Sequence, residues 1–143
     1  MDYLKVLVEE IHSVVVATVD ETGHPHTAVM DMMWEDGKTV YFLTANFKPL
    51  YKRLKEDGRV AVTGMTQGAG TMDRKSISLT GQVEWIGKEH LEELLKANPY
   101  MYEIYPTEEG RSHLQVFRFK NAVGNFYDLT QLPPYQARFE IEG

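Results

Sequence analysis

The sequence predicts a mainly β domain, an antiparallel barrel of roughly seven strands with small helices inserted at the joins. β-branched and aromatic runs stop at the turn compositions Asp20-Glu21-Thr22-Gly23 and Glu35-Asp36-Gly37-Lys38, which joins them as hairpins rather than as crossovers. Helical periodicity is confined to short stretches. Lys75 to Ile86 is long for a strand and carries Gly81 in its interior, the residue a bulge or barrel corner uses.

The elements follow in order. Leu4, Leu7, Val8 and Ile11 recur at helical spacing, so residues 2–11 are expected to form a short amphipathic helix. Ser13 to Val19 is dominated by β-branched residues, and the turn after it sends the chain back through His26 to Trp34. Thr39 to Thr44 then returns as a third strand, giving an expected three-stranded meander. Leu50, Tyr51 and Leu54 give residues 48–56 a helical face, closed by Asp57-Gly58 before the strand Val60 to Met65. The loop Thr66 to Asp73 has glycines at 68 and 70 but no helix behind it, so it fails as a dinucleotide-binding turn and carries little ligand-binding weight. Lys75 to Ile86 is the long strand, and Lys88 to Ala97 a helix ended by Asn98-Pro99. Leu114 to Lys120 and Val123 to Leu129 are predicted as two strands paired across a turn at Asn121-Ala122.

With 143 residues, 43% hydrophobic and 25% charged, the chain reads as a single domain spanning 1–143. No apolar run approaches the roughly 20 residues of a spanning helix. The N-terminal MDYLKVLVEEIH has acids where a secretory signal has bases, so a cytoplasmic location is expected. A formal net charge of -6 opposes general attraction to nucleic acid or to an anionic membrane. The absence of cysteine excludes disulfides, thiolate nucleophiles, iron–sulfur clusters and cysteine-ligated zinc.

The sharpest candidate site is the junction at Thr44 to Lys48, where an apolar strand opens into a short basic helix. Backbone N–H groups from Asn46 to the neighbours of Pro49, a Thr44 or Asn46 side chain, and Lys48 as countercharge would cradle a phosphate. The plain alternative is a solvated basic helix face capped by Asn46. His24 and His26 have a spacing that suits two metal ligands on one side of a strand, but no ordered motif supplies a third, and Gly23 and Pro25 explain them as turn residues. Asp31 is the one carboxylate in the apolar run Val29 to Trp34, so it either faces a ligand or proton donor or sits in an ion pair or at the solvent side of the sheet. Trp85, Tyr100, Tyr102, Tyr105, Phe117, Phe119, Phe126 and Tyr127 are core or interface candidates that could also wall a flat heteroaromatic ring. Neither a nucleophile elbow nor a paired-carboxylate or Walker pattern is present, so hydrolase chemistry has no visible machinery.

The order of VVVATVDETGHPHTAVMDMMW, YFLTANFKPLYKRLKEDGRVAV, KSISLTGQVEWI and VFRFKNAVGNFYDL resembles the FMN-binding split-barrel family related to pyridoxamine 5'-phosphate oxidase. The resemblance spans most of the chain. It implies a Greek-key-like split barrel and a homodimer with FMN at the subunit interface, each flavin touched by both chains. By position it implies that Lys48 and Thr44 contact the phosphate and ribityl chain, with Ala45 and Asn46 in the connecting turn. It further implies that the backbone of Ala28, Val29 and Met30 borders the flavin ring, and that Ser76 falls near a contact supplied by the partner chain.

Departures limit the activity. The oxidases proper carry an arginine and a lysine around the second strand, a second base beside the phosphate lysine and a C-terminal arginine-containing motif. Here His26 to Asp31 contains no lysine or arginine, Phe47 and Pro49 flank Lys48, and YQARFEIEG does not match. Vitamin B6 oxidation is therefore not expected. The expectation is an FMN-dependent oxidoreductase acting on a small molecule or an electron acceptor. The rivals are a non-catalytic flavin or haem carrier or sensor of the same fold, and, more remotely, a metal enzyme built on His24 and His26.

Overall fold

A computed structural model describes residues 1–143. The strands are β1 (Ser13–Val19), β2 (Pro25–Asp31), β3 (Trp34–Glu35), β4 (Val40–Ala45), β5 (Arg59–Met65), β6 (Lys75–Gly87), β7 (Leu114–Asp128) and β8 (Tyr135–Glu142). The helices are α1 (Tyr3–Lys5), which runs on as a π-helical turn over Val6–Ile11, α2 (Pro49–Glu56), α3 (Leu91–Ala97), α4 (Met101–Ile104) and α5 (Glu108–Arg111). All strands belong to one antiparallel sheet of order β2-β1-β5-β6-β7-β4-β3, with β8 also on β7. β2 and β3 end the order without pairing to each other, so the barrel is split. The expected mainly β split barrel with small flanking helices is what the chain forms.

Two hydrophobic clusters hold it. The larger, with Leu7, Val16, Met32, Phe42, Ile77, Phe117, Phe119 and Phe126, fills the interior; the smaller, with Met33, Tyr41, Leu43, Leu94 and Leu114, lies under α3 and α4. β4 lies between them, Val40 and Phe42 entering the larger and Tyr41, Leu43 and Ala45 the smaller, and all six of its residues are buried, the polar Thr44 among them.

The expected meander does not form. β2 pairs only with β1, whereas β4 pairs with β3 and β7. The predicted strand His26 to Trp34 breaks at Met32-Met33, where two successive residues are buried in different clusters. The Met32 N–H donates to His12 O at 2.7 Å and the Met33 N–H to Tyr41 O at 2.9 Å, so the chain here steps from one flank of the barrel to the other.

The predicted hairpin near residue 121 is also absent, because Leu114–Asp128 is one continuous strand. Asn121 faces Gln82 and Phe119 faces Val83, which leaves Lys120 as a bulged residue. At that bulge β7 changes partner on its other edge: β4 pairs with 114–118, and β8 with 121–128. β8, in a stretch for which the sequence predicts no element, supplies the partner for residues 121–128. Gly81 behaves as expected: a Cβ there would lie 2.1 Å from Asn121 O and 2.6 Å from Ala122 Cα.

Candidate functional site

The strand-to-helix junction is built by β4, which ends at Ala45, and α2, which starts at Pro49 with Lys48 as its N-cap. Proline at the first helical position presets the turn, and Leu50 and Leu54 bury one face of the helix against the core. The Asn46 N–H donates to His113 O at 2.8 Å and the Lys48 N–H to Ala45 O at 3.1 Å. Two donors expected to face a phosphate are thus already used, which leaves the N–H groups of Phe47 and Leu50 without a backbone partner. Asn46 is not the cap; its side-chain oxygen lies 3.2 Å from His113 Nδ1. Thr44 is 4% exposed, and its hydroxyl is buried without any hydrogen-bond partner. Such an orphan is uncommon in a folded chain and points to a missing polar group.

Ala28, Val29 and Met30 lie on β2, an edge strand whose outer backbone groups have no partner strand. Alternation turns Met30 and Ala28 to the core, while Val29 is 74% exposed opposite Val15. Ser76 lies on β6 opposite Met65. Val29 and Ser76 share the wall of a cavity of about 640 Å³, which also involves Ser13, Val15, Met65 and Arg74. Thr44, Ala45, Asn46 and Lys48 do not line it, so the structure brings the sequence-picked residues together as two separate groups.

Asp31 is part of a network that the sequence did not show. It accepts from Ser13 Oγ at 2.6 Å and from Tyr100 OH at 2.7 Å, and His12 Nε2 lies 2.8 Å from the same tyrosine oxygen. Burial, followed by the hydrogen bond to Asp31, pushes the Tyr100 hydroxyl well above its ordinary pKa. His12 adopts φ 63°, a strained conformation for a residue with a Cβ, and its Nδ1 reaches Val8 O at 3.0 Å. Residues 12, 31 and 100 are too far apart in sequence to have suggested one another.

A second cavity of about 420 Å³ lies between α2 and the β1–β2 turn, lined by Asp20, His26, Pro49, Lys52, Arg53 and Asp57 among others. His26 Nε2 lies 2.8 Å from Asp20 Oδ2, and this bond, with those from Thr22 and the His24 backbone, holds the Asp20 carboxyl far below the usual range. His24 sits in the turn with Nδ1 2.7 Å from Thr22 Oγ1, so the pair braces a turn. No group of three or more histidine, aspartate or glutamate side chains gathers with the spacing of a metal site. Trp85 and Tyr51 stack edge to face, with Lys55 Nζ 4.3 Å from the Trp85 ring; Phe117, Phe119 and Phe126 are core.

Residues 2–127 match the family described as pyridoxamine 5'-phosphate oxidase. The chain belongs to this family. Among solved structures, a NimC/NimA family protein from Clostridium acetobutylicum is 21% identical with a TM-score of 0.76, over 98% of this chain and 95% of that one. HutZ, a haem storage protein from Vibrio cholerae, is 16% identical with a TM-score of 0.60, over 96% and 91%. An F420 reductase is 20% identical with a TM-score of 0.62, over 80% and 90%. At these identities the likenesses show the fold of the pyridoxamine 5'-phosphate oxidase family and nothing finer. No curated protein sequence matches the chain. No helix is long and apolar enough to cross a membrane.

Proposed function

We propose that the protein is an FMN-binding flavoprotein that works as a homodimer, with an oxidoreductase role toward a small molecule or an electron acceptor. The observation that carries this reading is the Thr44 hydroxyl, buried and without a partner where β4 gives way to α2. Leaving such a group unpaired costs about 1–3 kcal/mol, which a phosphate oxygen accepting from it would relieve. The donor set fits that group: the Thr44 hydroxyl, the free N–H groups of Phe47 and Leu50, the helix N-terminus, and Lys48, which forms no ion pair.

FMN, when bound, would supply hydride or electron transfer. This chain's own residues would bind and orient it. Lys48 would balance the phosphate charge, Ala45 and Asn46 would shape the turn, the open edge of β2 at Ala28 to Met30 would border the ring, and Ser76 would reach it from the partner subunit.

The dimer reading has its own support. The outer face of β1, β5 and β6 carries Val15, Ala17, Ala61, Thr63, Ser78 and Thr80, an uncharged patch with Arg59 at its margin on a chain of net charge -6. With no arginine or lysine in His26 to Asp31, vitamin B6 oxidation is not part of the proposal.

Titrating the protein into FMN while following flavin fluorescence tests the reading. Saturable quenching that weakens in Lys48→Ala supports it, and flavin fluorescence left unchanged by the protein removes it. The second reading is a non-catalytic flavin or haem carrier or sensor, favoured by the likeness to the haem storage protein HutZ. A Soret band on adding haemin, or FMN-loaded protein reduced by a nicotinamide donor no faster than free FMN, would favour it.

A further inference from the structure

We infer that the cavity of about 640 Å³ between the β1–β2–β5 face and the loop before β6 is a binding site for a small carboxylate with an apolar body, held by Arg74. Arg74 forms no ion pair with any carboxylate of the chain, although acids outnumber bases 21 to 15. Its Nε is buried and has no hydrogen-bond partner, and its guanidinium makes one long contact, to Gly68 O at 3.4 Å. Arg74 is half-buried with no carboxylate beside it, so a carboxylate entering the cavity would meet a positioned guanidinium rather than a fully solvated charge. No aspartate or glutamate lines the cavity. Its walls divide by chemistry: Val29 and Met65 are apolar and exposed, Val15 joins them from the face proposed to meet a second copy, and Ser13, Ser76 and Arg74 are polar.

The loop is tied down, which makes the site preorganised. Thr66 exchanges hydrogen bonds with Lys75 through its N–H at 2.8 Å and its hydroxyl at 3.0 Å, and Arg74 O accepts from the Leu129 N–H at 3.1 Å. Gly68 packs so closely that an added Cβ would lie 2.9 Å from Asp73 O. A planar guanidinium anchored at its backbone, with terminal nitrogens engaged in no ion pair, suits a planar carboxylate better than a point charge does. Binding at this site stands by itself; the further statement that the carboxylate is the substrate rests on the flavoprotein reading, which sets the ring beside Val29.

The test is calorimetric titration of benzoate, and of its neutral counterpart benzamide, into wild type, Arg74→Gln and Arg74→Lys, with a parallel FMN titration of each. Wild type is expected to prefer benzoate by about tenfold or more. Arg74→Gln should erase that preference while leaving benzamide and FMN affinity within about twofold. Arg74→Lys keeps the charge, loses the planar guanidinium fork, and should lose most of the preference, which decides the matter if the glutamine variant does not fold. Equal affinity of wild type for the two probes, or a full preference in the lysine variant, overturns the inference. So does a loss of FMN uptake in Arg74→Gln, since Arg74 would then hold the flavin's own phosphate. A wild type that prefers benzoate and ignores FMN sinks the flavoprotein reading and leaves the carboxylate site standing.

Discussion

Thr44 and Lys48 act differently, and substitution separates them. Thr44→Val replaces an unpartnered buried hydroxyl with a methyl of similar shape, so the unliganded protein should melt at the same temperature or slightly higher. The same variant should bind FMN more weakly, a split that calorimetry and flavin titration read separately. Lys48 is exposed and is the N-cap of α2 without a side-chain cap bond, so Lys48→Ala should leave stability near wild type. Its loss of one charge-assisted contact should cost about 1.5–3 kcal/mol of FMN binding. A third residue contributes to acid stability. Hydrogen bonds from the Arg59 guanidinium and its backbone N–H hold the Asp57 carboxyl down at about 2. An unfolded aspartate titrates near about 3.9, so this contribution is fully present above that pH and is lost as pH falls toward 2. Because both side chains are partly exposed, salt reduces it. Asp57→Asn should flatten the stability curve between about pH 4 and pH 2, measured by melts at low salt.

At the scale of elements, β6 and β7 set the architecture, and at Gly81 they leave no room between them for a side chain. Gly81→Ala should destabilise by about 1–3 kcal/mol in chemical denaturation, because the clash is with backbone that cannot turn aside. Gly70→Ala, with nothing within 4 Å, is the neutral control. Gly81 and the strand-turn-strand pattern of β1 and β2 were legible in the sequence, since each depends on local turn chemistry or alternation. The route of the chain after β2 was not, because Met30 to Trp34 reads as one strand and the step at Met32-Met33 depends on which cluster each methionine enters. β7 reads as two strands for a related reason: a bulge at Lys120 interrupts the alternation as a turn would, and its true partner there is β8, in a stretch where the sequence predicts no element. The junction at Thr44 to Lys48 was legible as a strand opening into a basic helix. That the Asn46 and Lys48 N–H groups were already bonded was not, since His113 reaches Asn46 only in the fold. Arg74 is not legible as a site residue because the loop before it lacks a phosphate-binding pattern, and its importance lies in having no ion-pair partner in the fold.

For the whole molecule, the uncharged patch of Val15, Ala17, Ala61, Thr63, Ser78 and Thr80 on β1, β5 and β6 is the surface a second copy would cover, with its edge at the cavity of Val29 and Ser76. Thr63→Asp puts a carboxylate on that face, next to Ser78, and should turn a dimer into a monomer in sedimentation velocity with an unchanged circular dichroism spectrum. The monomer should also bind FMN poorly, because Ser76 of the partner would no longer reach the flavin. All of this rests on the chain holding FMN at the β4–α2 junction. The most direct test is the FMN titration of wild type beside Lys48→Ala: saturable uptake that gives a yellow protein, weakened about ten- to a hundredfold by the substitution, is the predicted result. A colourless wild type, or uptake that Lys48→Ala leaves unchanged, would contradict it.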